Sequence, residues 1–198
     1  FFIVLHFNPD VVIGTGGFAS GPILWVSSLL NIPTLIQEQN SFPGLTNKIL
    51  SSKVNVICVA YSGLERFFQK DKLCLTGNPI RSEIEFGVYN RDLLINSFGF
   101  DKNKPLILVL GGSLGSKRIN ETVFKNISWF KDNEVQLIWQ TGVLYYDRCK
   151  SAQMQLGKFG KIEAFITEMG SALFIADIVI SRAGAIVLSE LCALGKAS

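Results

Sequence analysis

Asp10-Val11-Val12-Ile13-Gly14-Thr15-Gly16-Gly17-Phe18-Ala19-Ser20-Gly21-Pro22 is the stretch that decides the fold. A β-branched run ends in a glycine-rich turn, and an apolar stretch predicted as a helix over 22–30 follows. Glycine lets the backbone turn tightly and approach a ligand, and the unpaired N–H groups at a helix start favour an anion. The bland reading of the same turn is a tight strand-to-helix connection with no ligand. The grammar recurs at Leu106–Leu110, followed by Gly111-Gly112-Ser113-Leu114-Gly115-Ser116 and a helix predicted over 117–130. Working outward, further strands are predicted over 33–36, 54–59, 73–75, 135–139, 162–165 and 178–181. The remaining helices are predicted over 45–51, 64–68, 91–97, 146–155, 169–175 and 186–194. Short apolar strands alternating with helices imply parallel sheets, buried on both faces and covered by helices on both sides. The expected fold class is α/β, with two Rossmann-like domains whose ligands sit at the carboxyl ends of the strands. Charge rises and the strand signal fades over 80–104. A connector over 85–104 is therefore placed between domains at 1–84 and 105–198.

Composition narrows the classes. The 198 residues are 48% apolar and 18% charged, enough to bury a core and the opposite of a disordered chain. The net charge of +3 is unclustered, with the first hundred residues neutral, so no nucleic-acid footprint is indicated. A mild positive excess suits an anionic ligand or an anionic membrane surface. Cys58, Cys74, Cys149 and Cys192 lack C-x-x-C spacing and are read as reduced, mostly buried residues. A single histidine, His6, removes a His-rich metal site and disfavours a Ser-His-Asp hydrolase, for which G-x-S-x-G is also absent. Trp25, Trp129, Trp139 and the fifteen phenylalanines are read as packing residues rather than a base-stacking platform. No secretion signal is evident, and the stretch 21–36 is too interrupted by polar residues to span a bilayer. The chain opens inside an apolar run without a Met and stops just after a helical pattern, so it reads as an internal fragment. Such a fragment is expected to be weakly stable or to aggregate alone.

Other loops carry chemistry under two readings each. Gln37-Glu38-Gln39-Asn40 ends a strand, where polar residues either meet a ligand or form a solvated turn with Asn40 as a cap. Arg81 is either a phosphate-pairing fork or a surface charge. Glu190 either accepts hydrogen bonds from a sugar diol or is a solvated helix residue. The first glycine turn is not a P-loop, since no Gly-Lys-Ser/Thr follows, and Gly111–Ser116 does not meet G-x-G-x-x-G, although two such turns favour a two-phosphate or diphosphate ligand more than either alone.

In chain order, Pro9-Asp10-Val11-Val12-Ile13-Gly14-Thr15-Gly16-Gly17-Phe18, Glu38-Gln39-Asn40-Ser41-Phe42-Pro43-Gly44-Leu45-Thr46-Asn47, Gly77-Asn78-Pro79-Ile80-Arg81, Gly111-Gly112-Ser113, Gln140-Thr141-Gly142 and Ser181-Arg182-Ala183-Gly184-Ala185 resemble the MurG family. These bacterial transferases move N-acetylglucosamine (GlcNAc) from UDP-GlcNAc onto lipid I, giving lipid II of peptidoglycan. The resemblance runs from about 9 to 196. It implies a GT-B fold with the acceptor lipid on the amino-terminal domain and UDP-GlcNAc on the carboxy-terminal one. It implies an acceptor-side loop of Gly14, Thr15, Gly16, Gly17, Phe18, Ser20 and Gly21. It implies donor contacts from Asn40, Arg81, Ser113 and the Ile166 backbone, and from Ala185, Ile186, Val187, Leu188, Ser189 and Glu190, with Glu190 on the ribose. The implied reaction is an inverting displacement by the acceptor C4 hydroxyl, with no cofactor and no metal; Asp-x-Asp is absent. The implied place is peripheral, on the cytoplasmic face of the bacterial inner membrane, in contact with its anionic surface.

The chain departs from the family pattern. The G-G-T-G-G-H loop, whose His is the candidate base, is absent, so no catalytic residue is assigned. A later donor-binding Gln is absent too. Gln37 stands for the usual His, Phe18 for Tyr, and Leu114 for a common Gln. The competing readings are another GT-B nucleotide-sugar enzyme, such as a UDP-GlcNAc epimerase, and a non-catalytic nucleotide-binding module.

Overall fold

The computed structural model describes every residue except Val88 and the side chain of Phe86. It divides into two units, Phe1–Pro79 and Ile80–Ser198, and both are α/β with a four-stranded, wholly parallel sheet.

The first unit runs α1 (Phe2–Phe7), β1 (Val12–Gly14), α2 (Gly17–Leu29), β2 (Thr34–Glu38), α3 (Leu45–Leu50), β3 (Val56–Val59) and β4 (Leu73–Leu75), with strand order β1-β2-β3-β4. Each crossover steps the same way. Because such crossovers are right-handed, α2 and α3 fall on one face of the sheet. The core follows: Ile36, Ile57 and Val59 pack with Leu24 of α2 and Leu50 of α3. Alternate residues point the other way. There Ile13 is 64% exposed and Val56 37%. The expectation of strands buried on both faces therefore fails in this unit, where the topology sends the described crossover helices to one side. The helix predicted over 22–30 begins five residues earlier, at Gly17, with Ser20 Oγ donating to the Gly16 carbonyl at 2.6 Å. Pro22, read as a starter, is the sixth helical residue.

The second unit runs α4 (Ser82–Phe86), α5 (Arg91–Ser97), β5 (Leu106–Leu110), α6 (Lys117–Lys125), α7 (Ile127–Asp132), β6 (Gln136–Gln140), α8 (Tyr146–Cys149), α9 (Ala152–Leu156), β7 (Gly160–Glu163), α10 (Met169–Ile175), β8 (Ile178–Ser181) and α11 (Ala185–Ala193). Its strand order, β7-β6-β5-β8, reverses at β5. Two cores result. Val109, Leu137 and Trp139 pack against Val123, Phe130 and Leu156 on one face. Leu106, Leu108 and Ile138 pack against Ile95, Leu173 and Leu191 on the other. Burying one such aliphatic side chain contributes about 1.5–3 kcal/mol.

Several readings need correction. The helix predicted over 117–130 breaks at Asn126, whose side chain donates back to the Thr122 carbonyl at 2.8 Å and so competes with the backbone ladder. The helix predicted over 146–155 separates into α8 and α9. Only Cys149 of the four cysteines is buried; Cys74 and Cys192 are exposed and Cys58 is intermediate. Trp139 is a packing residue, but Trp25 and Trp129 are 41% and 49% exposed, and several phenylalanines are exposed too, because they lie on outward helix faces and loops. Residues 85–104, read as a connector, include α5 and supply Ile95 and Phe100 to the second unit's core; Val88 of that stretch lies outside the described residues.

Candidate active site

In the second unit the connections after β5 and β8 leave toward opposite sides of the sheet. This is a topological switch point, where open α/β sheets bind ligands. The β5–α6 turn carries Gly111, Gly112, Ser113, Leu114 and Gly115. Its outer part is exposed. Among the described residues none accepts from the N–H of Gly112, Ser113 or Leu114, and all three residues are exposed. The turn is anchored from beneath: Gly111 N–H donates to the Gln140 carbonyl at 3.2 Å, and Val143 N–H to the Ser113 carbonyl at 3.2 Å. Gly115 and Gly142 touch backbone to backbone, and a Cβ on Gly142 would lie 2.1 Å from Gly115 N. Buried Asn120 ties the arrangement together, donating to the Thr141 carbonyl at 2.8 Å and accepting from Trp139 Nε1 at 3.0 Å.

Across the switch point, the β8–α11 loop leads into α11, where Glu190 is 2% exposed. A carboxylate at that depth requires a charged or strongly donating partner. The partner is Arg81, whose guanidinium donates to Glu190 Oε1 while its own side chain stays 42% exposed. Of the two readings of each residue, the solvated Glu190 is therefore excluded, and Arg81 is not simply a surface charge. Ile166 is buried, and its N–H donates to Gln140 Oε1 at 2.9 Å. Ser189 Oγ donates to the Ala185 carbonyl at 3.0 Å within α11.

The first unit holds a separate pocket of about 240 Å³. It is lined by Thr15, Gly16 and Gly17 of the β1–α2 turn and by Glu38, Asn40 and Asn47 of the β2–α3 segment. Its floor is Glu38, 3% exposed. One oxygen accepts from Asn40 N–H and Nδ2 at 3.0 and 3.2 Å. The other accepts from Gly44 N–H and Asn47 Nδ2 at 3.0 and 2.8 Å. Four donors thus hold one carboxylate and shape the loop between them. Asn47 Oδ1, buried at the pocket wall, has no hydrogen-bond partner among the described residues, nor has Gln37 Oε1. Gln37 Nε2 donates to Asn78 Oδ1 at 3.2 Å.

Ser113, Ile166, the 185–190 segment and Arg81 thus lie in the second unit, and Asn40 lies in the first-unit pocket with Thr15, Gly16 and Gly17. Phe18 is 92% exposed at the start of α2. Sequence reasoning assigned no role to Asn47, Asn120 or Gln140. Asn47 sat inside the quoted E-Q-N string, so its signal was present; Asn120 carries none, since it matters only once Thr141 and Trp139 are known to lie beside it.

Comparison with known proteins accords with this geometry. The glycosyltransferase family 28 N-terminal domain matches residues 1–59, and the family's C-terminal domain matches 106–198. The chain belongs to glycosyltransferase family 28. Among family relatives, the UDP-N-acetylglucosamine–N-acetylmuramyl-(pentapeptide) pyrophosphoryl-undecaprenol N-acetylglucosamine transferase of Flavobacterium psychrophilum is 53% identical over 197 residues, which cover 99% of this chain and 53% of the relative. The enzyme of the same name from Porphyromonas gingivalis is 48% identical, covering 98% and 52%. The chain spans about half the length of the curated relatives it matches. The crystal structure of Acinetobacter baumannii MurG superposes with a TM-score of 0.64 at 27% identity, covering 98% of this chain and 52% of that one. A UDP-N-acetylglucosamine 2-epimerase from Rickettsia bellii, at 14% identity and a TM-score of 0.69 (99% and 57% covered), shares the fold alone. The α/β class with two parallel sheets, expected from the alternation of elements, is what this family 28 chain has.

Proposed function

We propose that the protein carrying this chain transfers GlcNAc from UDP-GlcNAc to the C4 hydroxyl of the N-acetylmuramic acid of lipid I, giving lipid II. The observation that carries this reading is the row of exposed residues Gly112, Ser113 and Leu114 at the switch point of the second unit, whose N–H groups have no acceptor among the described residues. Such a row suits the diphosphate of a nucleotide sugar. As the anomeric carbon is attacked and UDP departs, these amides would stabilise the charge growing on the leaving group. This reading assigns the ribose diol to Glu190, and a uracil contact at Ile166 to its carbonyl, since its N–H is engaged by Gln140. The segment 185–190 and Arg81 belong to this donor side, and Asn40 is kept as a further substrate contact.

The first-unit pocket has the opposite chemistry. Glu38 and Asn47 Oδ1 offer acceptors, which suit the hydroxyl and amide donors of a sugar acceptor. On this reading the first unit, Phe1–Pro79, serves the acceptor and the second, Ile80–Ser198, the donor. Contact with an anionic membrane surface, on the cytoplasmic side of the bacterial inner membrane, draws support from an exposed apolar set. Phe2, Ile3 and Phe7 of α1 and Leu29 of α2 are all over half exposed, and Lys53 lies 5.3 Å over the Trp25 ring. Among the described residues no helix is long and apolar enough to cross a membrane.

Radiolabelled UDP-GlcNAc incubated with the full-length protein and a lipid I analogue is expected to yield the disaccharide lipid. An epimerised nucleotide sugar, or nucleotide binding without transfer, would end this reading in favour of one of its rivals. Co-sedimentation with anionic vesicles, lost in neutral ones, is the expected result for the membrane contact.

A further inference from the structure

Two cysteines meet in the first sheet. Cys58 of β3 and Cys74 of β4 are register partners on adjacent parallel strands. Cys58 alternates with Ile57 and Val59, which are buried in the core shared with α2 and α3, so the two thiols share the opposite face. Both are free, with Cys74 exposed and Cys58 half-buried. Adjacent strands lie about 4.8 Å apart, within the roughly 4.4–6.8 Å between Cα atoms that a disulfide spans. Side chains at one register therefore start about one strand spacing apart, about 4.8 Å, against about 3.8 Å between Cβ atoms in a relaxed bridge. Closing the bond therefore draws the strands together by about 1 Å. β4 is three residues long and ends the strand order, so it is the strand placed to yield. A bridge closed under that strain is readily reduced.

We propose that Cys58 and Cys74 are a redox-reactive dithiol that closes reversibly to an intramolecular disulfide. The oxidant is a low-molecular-weight disulfide. The thiolate of exposed Cys74 attacks one of its sulfurs, releasing one thiolate and leaving a mixed disulfide on Cys74. Cys58, deprotonated, then attacks the Cys74 sulfur and releases the second thiolate. The two protein sulfurs lose two electrons in all, the reagent gains them, and the two protons go to the released thiolates. Burial first, and then the neighbouring Cys74, raises the Cys58 thiol above its usual pKa, against a hydrogen bond from Thr76; this fits Cys58 as the resolving partner. The bridge would fix the strand that leads into Gly77 and Asn78, which receive the Gln37 side chain.

The test is to treat the folded full-length protein with oxidised glutathione, alkylate the remaining thiols, digest without reductant and map the peptides by mass. The expected product joins the Cys58 and Cys74 peptides, about 2 Da lighter than their sum, and disappears on adding reduced glutathione without denaturant. In Cys58→Ser the mixed disulfide on Cys74 should persist. The proposal is overturned if wild-type protein retains glutathione on Cys74, if both thiols are alkylated unchanged, or if Cys58 joins a different cysteine. The wild-type map decides even where the variant does not fold.

Discussion

The turns Gly14–Gly17 and Gly111–Ser116 read alike as sequence, yet they are held by different forces. The first is closed over by a loop that hangs from one buried carboxylate, Glu38, through four N–H donors. The second is held by neutral parts: Gly115 packed on Gly142, with Asn120 beneath. The difference has a chemical consequence. A buried negative charge repels an incoming phosphate, whereas a turn anchored by neutral groups leaves its amides free for one. One local motif thus suits a hydroxyl-rich ligand in one unit and an anion in the other, according to what was built underneath.

The sharpest way to break this comparison is to remove its charge. Glu38→Ala takes the acceptor from four donors, of which Asn47 Nδ2 is buried, and losing four hydrogen bonds to a charged group should destabilise the first unit by about 3–5 kcal/mol. Calorimetric melting of the full-length protein is expected to show a large fall in Tm. A change of under about 0.5 kcal/mol, the usual range for a surface substitution, would mean that Glu38 does not hold the loop. On the other side, Gly142→Ala puts a methyl 2.1 Å from Gly115 N at a φ of +78°. Backbone strain and overpacking together should cost about 2–4 kcal/mol. The same variant should weaken UDP binding, measured by calorimetric titration, since Val143 beside it anchors Ser113. If UDP affinity is unchanged, the turn is not the diphosphate site.

How far the sequence could reveal this follows from which forces act locally. The alternation of β-branched runs, glycine turns and helices depends on neighbouring residues, so both sheets and both turns were legible. The strand order is not local. It was the reversal at β5 that put helices on both faces of one sheet, and its absence that left Ile13 and Val56 of the other exposed. Glu190 showed as a candidate but not as a buried one, because its partner Arg81 lies 109 residues away. Asn126, which splits one predicted helix, was visible as a residue type whose side chain competes for the backbone, but the 3.6-residue pattern running through it outweighed that signal. The exposed tryptophans were misread because composition says only that aromatics are usually inside.

The Arg81–Glu190 pair sharpens the comparison in a different way, since here a buried carboxylate is held by one half-exposed cation instead of a cage of amides. Removing the cation should hurt less than emptying the cage. Arg81→Ala is expected to cost about 1–3 kcal/mol, after discounting for the solvent that reaches Arg81. Adding Glu190→Gln should return part of that loss, because the double variant buries no unpaired charge. If the two losses simply add, the pair is not coupled in solution.

The smallest effect concerns the thiols, and it separates the exposed sheet face of the first unit from the closed core of the second. Burial is the main cause that lifts the Cys149 thiol above its ordinary pKa, with Arg148 opposing it. A raised thiol pKa means less thiolate at pH 8, and thiolate is the form that alkylates. Cys149 should therefore react with iodoacetamide at least about tenfold more slowly than exposed Cys74. Its rate should keep climbing as pH rises through the alkaline range, because deprotonation there is delayed rather than abolished. Residue-resolved mass spectrometry over pH 7–10 measures both rates. If Cys149 keeps pace with Cys74 in the native protein, the second core opens on the labelling timescale, and the contrast between a closed, neutral scaffold and a caged, charged one would rest on the first unit alone.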